Sequence, residues 1–232
     1  MSTQPPPAKR RRIDLFEGFC VTLGQDDEQK TITVAKTYLT KSSDYLKKAC
    51  NKEWKEGQMK TIELPDIKPD TFAIYVQWLQ TGELVLSAEE LPARDAERST
   101  IVTHWDVLQP KIVDLYILVD YLANTIVRNL AIDEWKSATH ALKFGPSISE
   151  VKVVYEKTPP KCMLRKLMVD WSVAGVQSEW ITNNGTNLPA EFLADVFAEW
   201  TRLRGEKEWP QAPYEREKCY YHEHDEERLK FT

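Results

Sequence analysis

Alternating apolar positions near the start of the chain predict a β-hairpin. Apolar side chains alternate with less apolar ones on both sides of a polar stretch at residues 24–30. Period two on either side of a short polar loop is the pattern of two paired antiparallel strands. The apolar positions that define the two strands are Phe19, Val21, Leu23, Ile32 and Val34.

The pattern then changes to a helical period before a third strand. An interrupted apolar stripe over residues 38–49 predicts two short helices, with Ser42 and Ser43 placed where a second helix is capped. Ile62 and Leu64 alternate with polar residues and predict the third strand, which Pro65 closes.

A longer helix is predicted next, followed by a segment without clear periodicity. Pro69 stands at a first helical position, apolar residues recur at helical spacing from Phe72 to Leu79, and Gly82 ends the helix. Residues 84–86 predict a short edge strand. Residues 87–110 carry several charges and no regular apolar period, so we interpret them as an insertion in the domain.

The rest of the chain is predicted to be mainly helical. Two antiparallel helices are expected on either side of Asn124, and Ser147 and Glu150 have capping-box spacing before a further helix. The last helix is predicted from Pro189 to a stop at Gly205, after which residues 206–232 form a charged tail. Its expected apolar face contains Phe192, Val196, Phe197, Trp200 and Leu203.

Charge is distributed unevenly between the first residues and the rest of the chain. The 232 residues include 31 basic and 36 acidic ones, for a net charge of −5. Four of the basic residues are adjacent, and without Lys9, Arg10, Arg11 and Arg12 the balance is 27 to 36. Residues 1–12 also contain three consecutive prolines, so we expect a disordered basic tail. The acidic remainder makes nucleic-acid binding by the folded part unlikely.

Several chemistries have no support in the sequence. The four cysteines are scattered without a C-x-x-C pair, and the start of the chain has no apolar signal core, so a reducing intracellular compartment is expected. The apolar runs are too short for a membrane span. Glycine-rich phosphate loops, G-x-S-x-G and H-E-x-x-H are absent. We therefore expect a non-enzymatic protein without a cofactor.

One group of residues leaves a metal site open as an alternative. Cys219, His222 and His224 lie close together near the end of the chain, and thiolate and imidazole groups are ligands that zinc prefers. Three ligands at this spacing are fewer than the usual four of a structural site. The favoured interpretation is a polar tail whose Tyr220 and Tyr221 dock on the folded body.

The residues of the first half together resemble the BTB/POZ domain, in the short form found in filamentous fungi. The resemblance covers residues 19–130, about half of the chain. It is carried by Val34, Lys36, Leu39, Ser43, Tyr45, Leu46, Ala49, Cys50, Trp54, Lys55, Glu56, Ile62, Leu64, Pro65, Phe72, Tyr75, Trp78, Leu79, Thr81, Gly82, Leu84, Val113, Asp114, Leu115, Tyr116, Asp120 and Tyr121.

This resemblance implies a fold and a domain organisation. The fold class is α+β, a small three-stranded sheet with helical hairpins, followed by a mainly helical C-terminal region. The expected boundaries are a tail at residues 1–12, a BTB/POZ domain at 13–138 with the insertion near 87–110, a helical region at 147–205 and a charged tail at 206–232. The predicted core includes Leu39, Leu46, Ile62, Leu64, Phe72, Tyr75, Leu79, Leu115 and Leu122.

The resemblance also implies a role as an adaptor or scaffold that binds proteins. In cullin-binding members of the family, a hydrophobic residue, any residue and Glu precede the third strand, and Trp54, Lys55 and Glu56 occupy that place here. Trp54 either anchors a cullin of a ubiquitin ligase or covers one end of the core. Strand-exchanged dimerisation has only residues 13–16 available, so self-association is expected to be weak and to use the first helical hairpin.

The basic run provides the alternative function. Lys9, Arg10, Arg11 and Arg12 on a Pro-flanked arm are typical of a segment bound by a nuclear import receptor. The chain would then be a nuclear regulator of transcription; otherwise the run is a solubilising tail. The expected location is therefore the nucleus, the cytoplasm or both.

Overall fold

The computed structural model describes residues 17–86, 91–93, 95–175, 178–204 and 210–224. The basic run at residues 9–12, the segment at 13–16 and the predicted helix stop at Gly205 lie outside these described residues. So does the last part of the charged tail.

The predicted β-hairpin and third strand form one small sheet. Strand β1 spans Gly18–Leu23, β2 spans Lys30–Ala35 and β3 spans Thr61–Leu64. The strand order is β2-β1-β3, with β1 antiparallel to β2 and parallel to β3. Phe19, Val21 and Leu23 are fully buried, which confirms the face that the period-two pattern predicted.

Three short helices connect the hairpin to β3. They are α1 (Lys36–Ser42), α2 (Asp44–Ala49) and α3 (Lys55–Met59). Ser43 caps α2, because its Oγ accepts a hydrogen bond from the backbone N–H of Leu46 at 3.1 Å. The two predicted helices are confirmed, whereas the pattern did not predict α3.

Helix α4 (Pro69–Thr81) has the predicted ends, but the described residues that follow it, 83–86, contain no strand. Pro69 is in the first turn, and Gly82 ends the helix with a left-handed φ of 78°. The edge strand expected over residues 84–86 is wrong. Leu86 is buried, and its carbonyl accepts a hydrogen bond from Lys111 Nζ of the next helix. This segment is therefore bonded to a helix and not to the edge of the sheet.

The segment interpreted as an aperiodic insertion is helical from residue 98 onwards. Helix α5 spans Arg98–Tyr121 and contains Pro110. Ile101, Trp105 and Leu108 are buried on it. A proline inside a helix costs about 3 kcal/mol, but burying each such side chain stabilises by about 1.5 to 3 kcal/mol. The helix therefore continues through the proline; that the segment is an insertion relative to the family stays a prediction.

The remaining described helices agree with the expectation of a helical C-terminal region. Asn124 caps α6 by accepting a hydrogen bond from the backbone N–H of Val127, and Ser147 caps α7 in the same way with Glu150. The helices are α6 (Thr125–Leu142), α7 (Ile148–Lys157), α8 (Met163–Gly175), α9 (Ser178–Asn184) and α10 (Ala190–Leu203).

The expected single apolar face of α10 is only partly buried. Phe192 and Leu203 are buried, but Phe197 is 67% exposed. Tyr155 of α7 packs edge-on against Phe192 and Arg165 of α8 pairs with Glu191 at the N-terminal end of the helix, while Leu203 is buried at its C-terminal end. The middle of the predicted face therefore remains at the surface.

One hydrophobic core runs through both halves of the chain. It includes side chains from the sheet, from α5 and α6 and from α7, α8 and α10, and it ends at Tyr221. Trp105 of α5 joins the two halves directly, because its indole N–H donates to the carbonyl of Gly145 at 2.9 Å. Eight of the nine predicted core residues are fully or almost fully buried; Leu79 is only partly buried, so its prediction was wrong.

No helix in the described parts of the chain combines the length and the apolar character needed to cross a membrane.

Candidate partner-binding surface

Trp54, Lys55 and Glu56 lie together at the start of α3 with their side chains exposed. Trp54 is the residue before the helix; its backbone N–H donates to the carbonyl of Asn51, and its own carbonyl accepts from Gln58, both at 3.0 Å. The backbone is thus fixed on both sides of the indole. The side chain itself is 58% exposed.

Gly57 explains why α3 holds this position. It is buried, and a Cβ atom there would lie 1.9 Å from the carbonyl oxygen of Asn51. Helix α3 therefore packs directly on the backbone of the preceding loop, at a distance that no side chain allows. This contact fixes the direction in which the side chains of Trp54 and Glu56 leave the helix.

A pair of tyrosines lies beside Glu56. The hydroxyl of Tyr121, at the end of α5, donates to the hydroxyl of Tyr45 on α2 at 2.9 Å, and the ring centroids are 5.0 Å apart. Burial raises the pKa of Tyr45 to about 12, and the hydrogen bond with Tyr121 and the negative charge of Glu56 act in the same direction. Tyr45 is therefore neutral at physiological pH, while Tyr121 is 53% exposed.

An acidic groove of about 900 Å³ continues from Tyr121. Its cations are Lys68, which pairs with Asp114 at 2.7 Å, and Lys157. An excess of carboxylates in a concave surface attracts positively charged partners. The acidic residues that line the groove are Asp26, Asp27, Glu28, Glu63, Asp66, Asp114 and Asp120.

The sequence pattern singled out the three α3 residues but not the surface around them. Tyr45 and Tyr121 are 76 residues apart in the chain, so only the fold brings their hydroxyls together. The acidic groove likewise combines the β1–β2 turn, the end of β3 and α5. No local motif marks such a surface, because its lining comes from segments that are far apart in the chain.

The predicted docking of the C-terminal tyrosines is confirmed for Tyr221. It is fully buried, and its hydroxyl donates to Asp170 Oδ2 at 2.8 Å. Tyr220 is 39% exposed and lies under the cations of Lys166 and Arg216. Cys219, His222 and His224 are close to one another: each offers one ligand atom, and these three atoms lie within 4.8 Å of each other.

Comparison with known families matches the part of the chain that carries this surface. Residues 17–96 match the family model of the BTB/POZ domain, from the start of β1 to just before α5. No curated protein matches the chain. The resemblance predicted from the sequence is thereby confirmed over these residues, and with it the α+β fold class. A BTB/POZ domain is a protein–protein interaction module.

Proposed function

We propose that this chain, whose residues 17–96 form a BTB/POZ domain, is a non-enzymatic adaptor that recruits partners to the cullin scaffold of a ubiquitin ligase. The contact with the cullin is assigned to Trp54, Lys55 and Glu56. The observation that supports this proposal is the exposure of Trp54, whose indole is 58% exposed on a backbone that is held rigidly.

The exposure of Trp54 supports its interpretation as an anchor for a partner and not as a cover of the core. A tryptophan that covers the end of a core loses most of its accessible surface to that core. Trp54 has kept more than half of its surface, and Met59 on the same helix is 62% exposed. Large, rigid aromatic side chains of this kind are the usual anchors of protein interfaces, and burying one in a partner contributes a few kcal/mol.

Glu56 adds a charged contact beside this anchor. An exposed carboxylate accepts charge-assisted hydrogen bonds from lysine or arginine of a partner, which are stronger than neutral ones. The acidic groove beyond Tyr121 extends the negative potential in the same region. The proposed cullin contact therefore combines an apolar anchor with a basic segment of the partner.

The test is a binding titration of the full chain with a purified cullin, repeated with Glu56→Lys. Charge reversal should weaken binding by tenfold or more, because an attractive contact becomes a repulsive one. Glu179→Lys is the matched control, since Glu179 is exposed on α9, outside the BTB/POZ domain. Normal binding by Glu56→Lys, or no binding by the unmodified chain, contradicts the cullin proposal.

A second proposal concerns Lys9, Arg10, Arg11 and Arg12. Four adjacent cations on a Pro-flanked arm fit the acidic binding pockets of a nuclear import receptor. We assign this run a role in nuclear localisation, which would make the chain a nuclear regulatory protein. This role is compatible with the adaptor function, because the run precedes the BTB/POZ domain in the chain.

Self-association is proposed to be weak and to use the α1–α2 hairpin. Tyr38 of α1 is 38% exposed and lines a groove of about 460 Å³ that also includes Lys47 of α2 and Trp78 of α4. A dimer formed through this hairpin needs no exchange of the segment that precedes β1.

A further inference from the structure

Three metal-ligating side chains converge on the segment that follows the last long helix. Cys219 belongs to a 3₁₀ turn at Lys218–Tyr221, and His222 and His224 follow it directly. Their ligand atoms lie within 4.8 Å of one another, and the described residues contain this one group of potential metal ligands. We propose that Cys219, His222 and His224 bind a Zn²⁺ ion.

The distances require only a small adjustment of the side chains. In a tetrahedral site with Zn–S near 2.3 Å and Zn–N near 2.0–2.1 Å, one sulfur and two nitrogen ligands are about 3.3 to 3.6 Å apart. The observed limit of 4.8 Å is thus wider than a closed site by roughly 1.2 to 1.5 Å. Cys219 and His224 are exposed, so their side chains are free to rotate by this amount.

The backbone of the segment is already held in place. Asn129 of α6 makes two hydrogen bonds with Glu223, donating to its carbonyl at 2.9 Å and accepting from its N–H at 3.0 Å. Arg128 pairs with the Glu223 carboxylate, and the buried Tyr221 is bonded to Asp170. Since Glu223 stands between the two histidines, these contacts hold the backbone next to both of them before any ion binds.

Asp133 orients one of the ligands. Its Oδ1 lies 2.8 Å from Nε2 of His222, whose side chain is only 9% exposed. When Nε2–H donates to this carboxylate, the lone pair of Nδ1 is available to a metal ion. A carboxylate bonded to the other ring nitrogen is the usual support of a zinc-bound histidine. The contact between Asp133 and His222 does not depend on how close the three ligand atoms lie to one another. It is therefore a second observation that indicates a metal site.

The type and the number of the protein ligands indicate which metal ion the cluster binds and how its coordination is completed. Three thiolate and imidazole ligands favour Zn²⁺ over Mg²⁺ or Ca²⁺, which prefer oxygen. The fourth coordination position is then taken by water or by another molecule. Binding connects the C-terminal segment more firmly to α6, which carries Asn129 and Asp133, and stabilises the folded chain by mass action.

The experiment uses the untagged full chain, reduced and freed of metal by a chelator. Titration with Co²⁺ should give one ion per chain and a thiolate-to-metal charge-transfer band, and Zn²⁺ should displace the Co²⁺. Cys219→Ser should abolish the band, and His224→Ala should weaken Zn²⁺ binding by at least tenfold. Cys20→Ser is the matched control, because Cys20 is also an exposed free thiol but lies in β1.

Asp133→Asn tests the positioning role of the carboxylate. It should weaken Zn²⁺ binding by about 10- to 100-fold while the melting temperature of the metal-free chain stays the same. The proposal is overturned if the unmodified chain gives no charge-transfer band, or if Cys219→Ser binds Zn²⁺ as tightly as Cys20→Ser. Unchanged affinity in Asp133→Asn removes the orienting role.

Discussion

Two adjacent serines show how single polar residues join separate parts of this fold. Ser43 caps α2 and also donates its hydroxyl to the carbonyl of Leu122 at the end of α5. Ser42 accepts a hydrogen bond from the hydroxyl of Tyr75, which in turn accepts one from the side-chain amide of Asn124. These polar groups are buried or half-buried. Together they form all of their hydrogen bonds only when the α1–α2 hairpin, α4 and the α5–α6 turn are in place.

Leu46 and Leu79 of the predicted core differ in burial, so replacing each with alanine should lower the free energy of unfolding by a different amount. Leu46 is fully buried, so Leu46→Ala should lower the free energy of unfolding by about 2 to 5 kcal/mol. Leu79 is only partly buried, and Leu79→Ala should cost about 1 to 2 kcal/mol. Urea unfolding of both variants measures the difference; a larger loss for Leu79→Ala would contradict the burial of α4.

Local pattern predicted where these helices begin more closely than which groups they bond. Ser147 was predicted at a helix start, Ser42 or Ser43 at another, and Asn124 at the break between two helices; Ser43, Asn124 and Ser147 each cap a helix. Local propensity determines this part of the structure. The bond from Ser43 to Leu122 spans 79 positions and depends on the tertiary fold, which a local pattern does not contain.

The elements differ in how well their periodicity could be recognised. The three strands of the sheet and α4 have short, clean patterns and were predicted correctly, whereas the edge strand expected at residues 84–86 was wrong. The first half of α5 was missed because charged residues and Pro110 interrupt it. Its buried positions at Ile101, Trp105 and Leu108 do follow a helical spacing, and this is the signal that would have identified the helix.

Helix α10 was predicted correctly, but the pattern did not show how much of its apolar face is buried. Its apolar stripe is regular, but a regular stripe shows only that one face is apolar and not that all of it is covered. Phe197 remains at the surface although it belongs to the same stripe as the buried Phe192. Which part of an amphipathic face is buried depends on the elements that pack on it, here α7 and α8.

Self-association is tested at the level of the α1–α2 hairpin. Sedimentation should show a weak, concentration-dependent dimer that persists when residues 13–16 are deleted. Tyr38→Asp should abolish it, because a charge would be placed in the proposed contact. A tight dimer that disappears on deletion of residues 13–16 would instead indicate strand exchange.

The molecule as a whole is organised around one core and not around two separate units. The C-terminal segment is part of that core: Tyr221 is buried, and Lys166 and Tyr221 both bond to Asp170 of α8. The BTB/POZ match ends at residue 96, yet the buried face of α5 begins at Ile101 and connects the domain to α7 and α8. We infer that the helical half is a structural support of the interaction module.

Nuclear localisation is tested on the whole chain fused to a bulky fluorescent carrier, which prevents passive entry into the nucleus. Changing Lys9, Arg10, Arg11 and Arg12 together to Ala should lower the nuclear fraction, because the receptor contact loses four positive charges. The control removes four exposed lysines of the folded domain, Lys41, Lys47, Lys48 and Lys52. An unaltered nuclear fraction in the first variant would show that the run is not an import signal.

The start of α3 is proposed to be an interface and not a part of the core. This is tested by measuring both the cullin affinity and the free energy of unfolding of Trp54→Ala, with Phe197→Ala as a control for the loss of an exposed aromatic side chain. Trp54→Ala should bind the cullin at least tenfold more weakly, about 1.4 kcal/mol, with its stability changed by no more than about 0.5 kcal/mol, and Phe197→Ala should bind normally. A Trp54→Ala protein that is strongly destabilised but binds the cullin normally, or an equal loss of binding in both variants, would show that the start of α3 is not this interface.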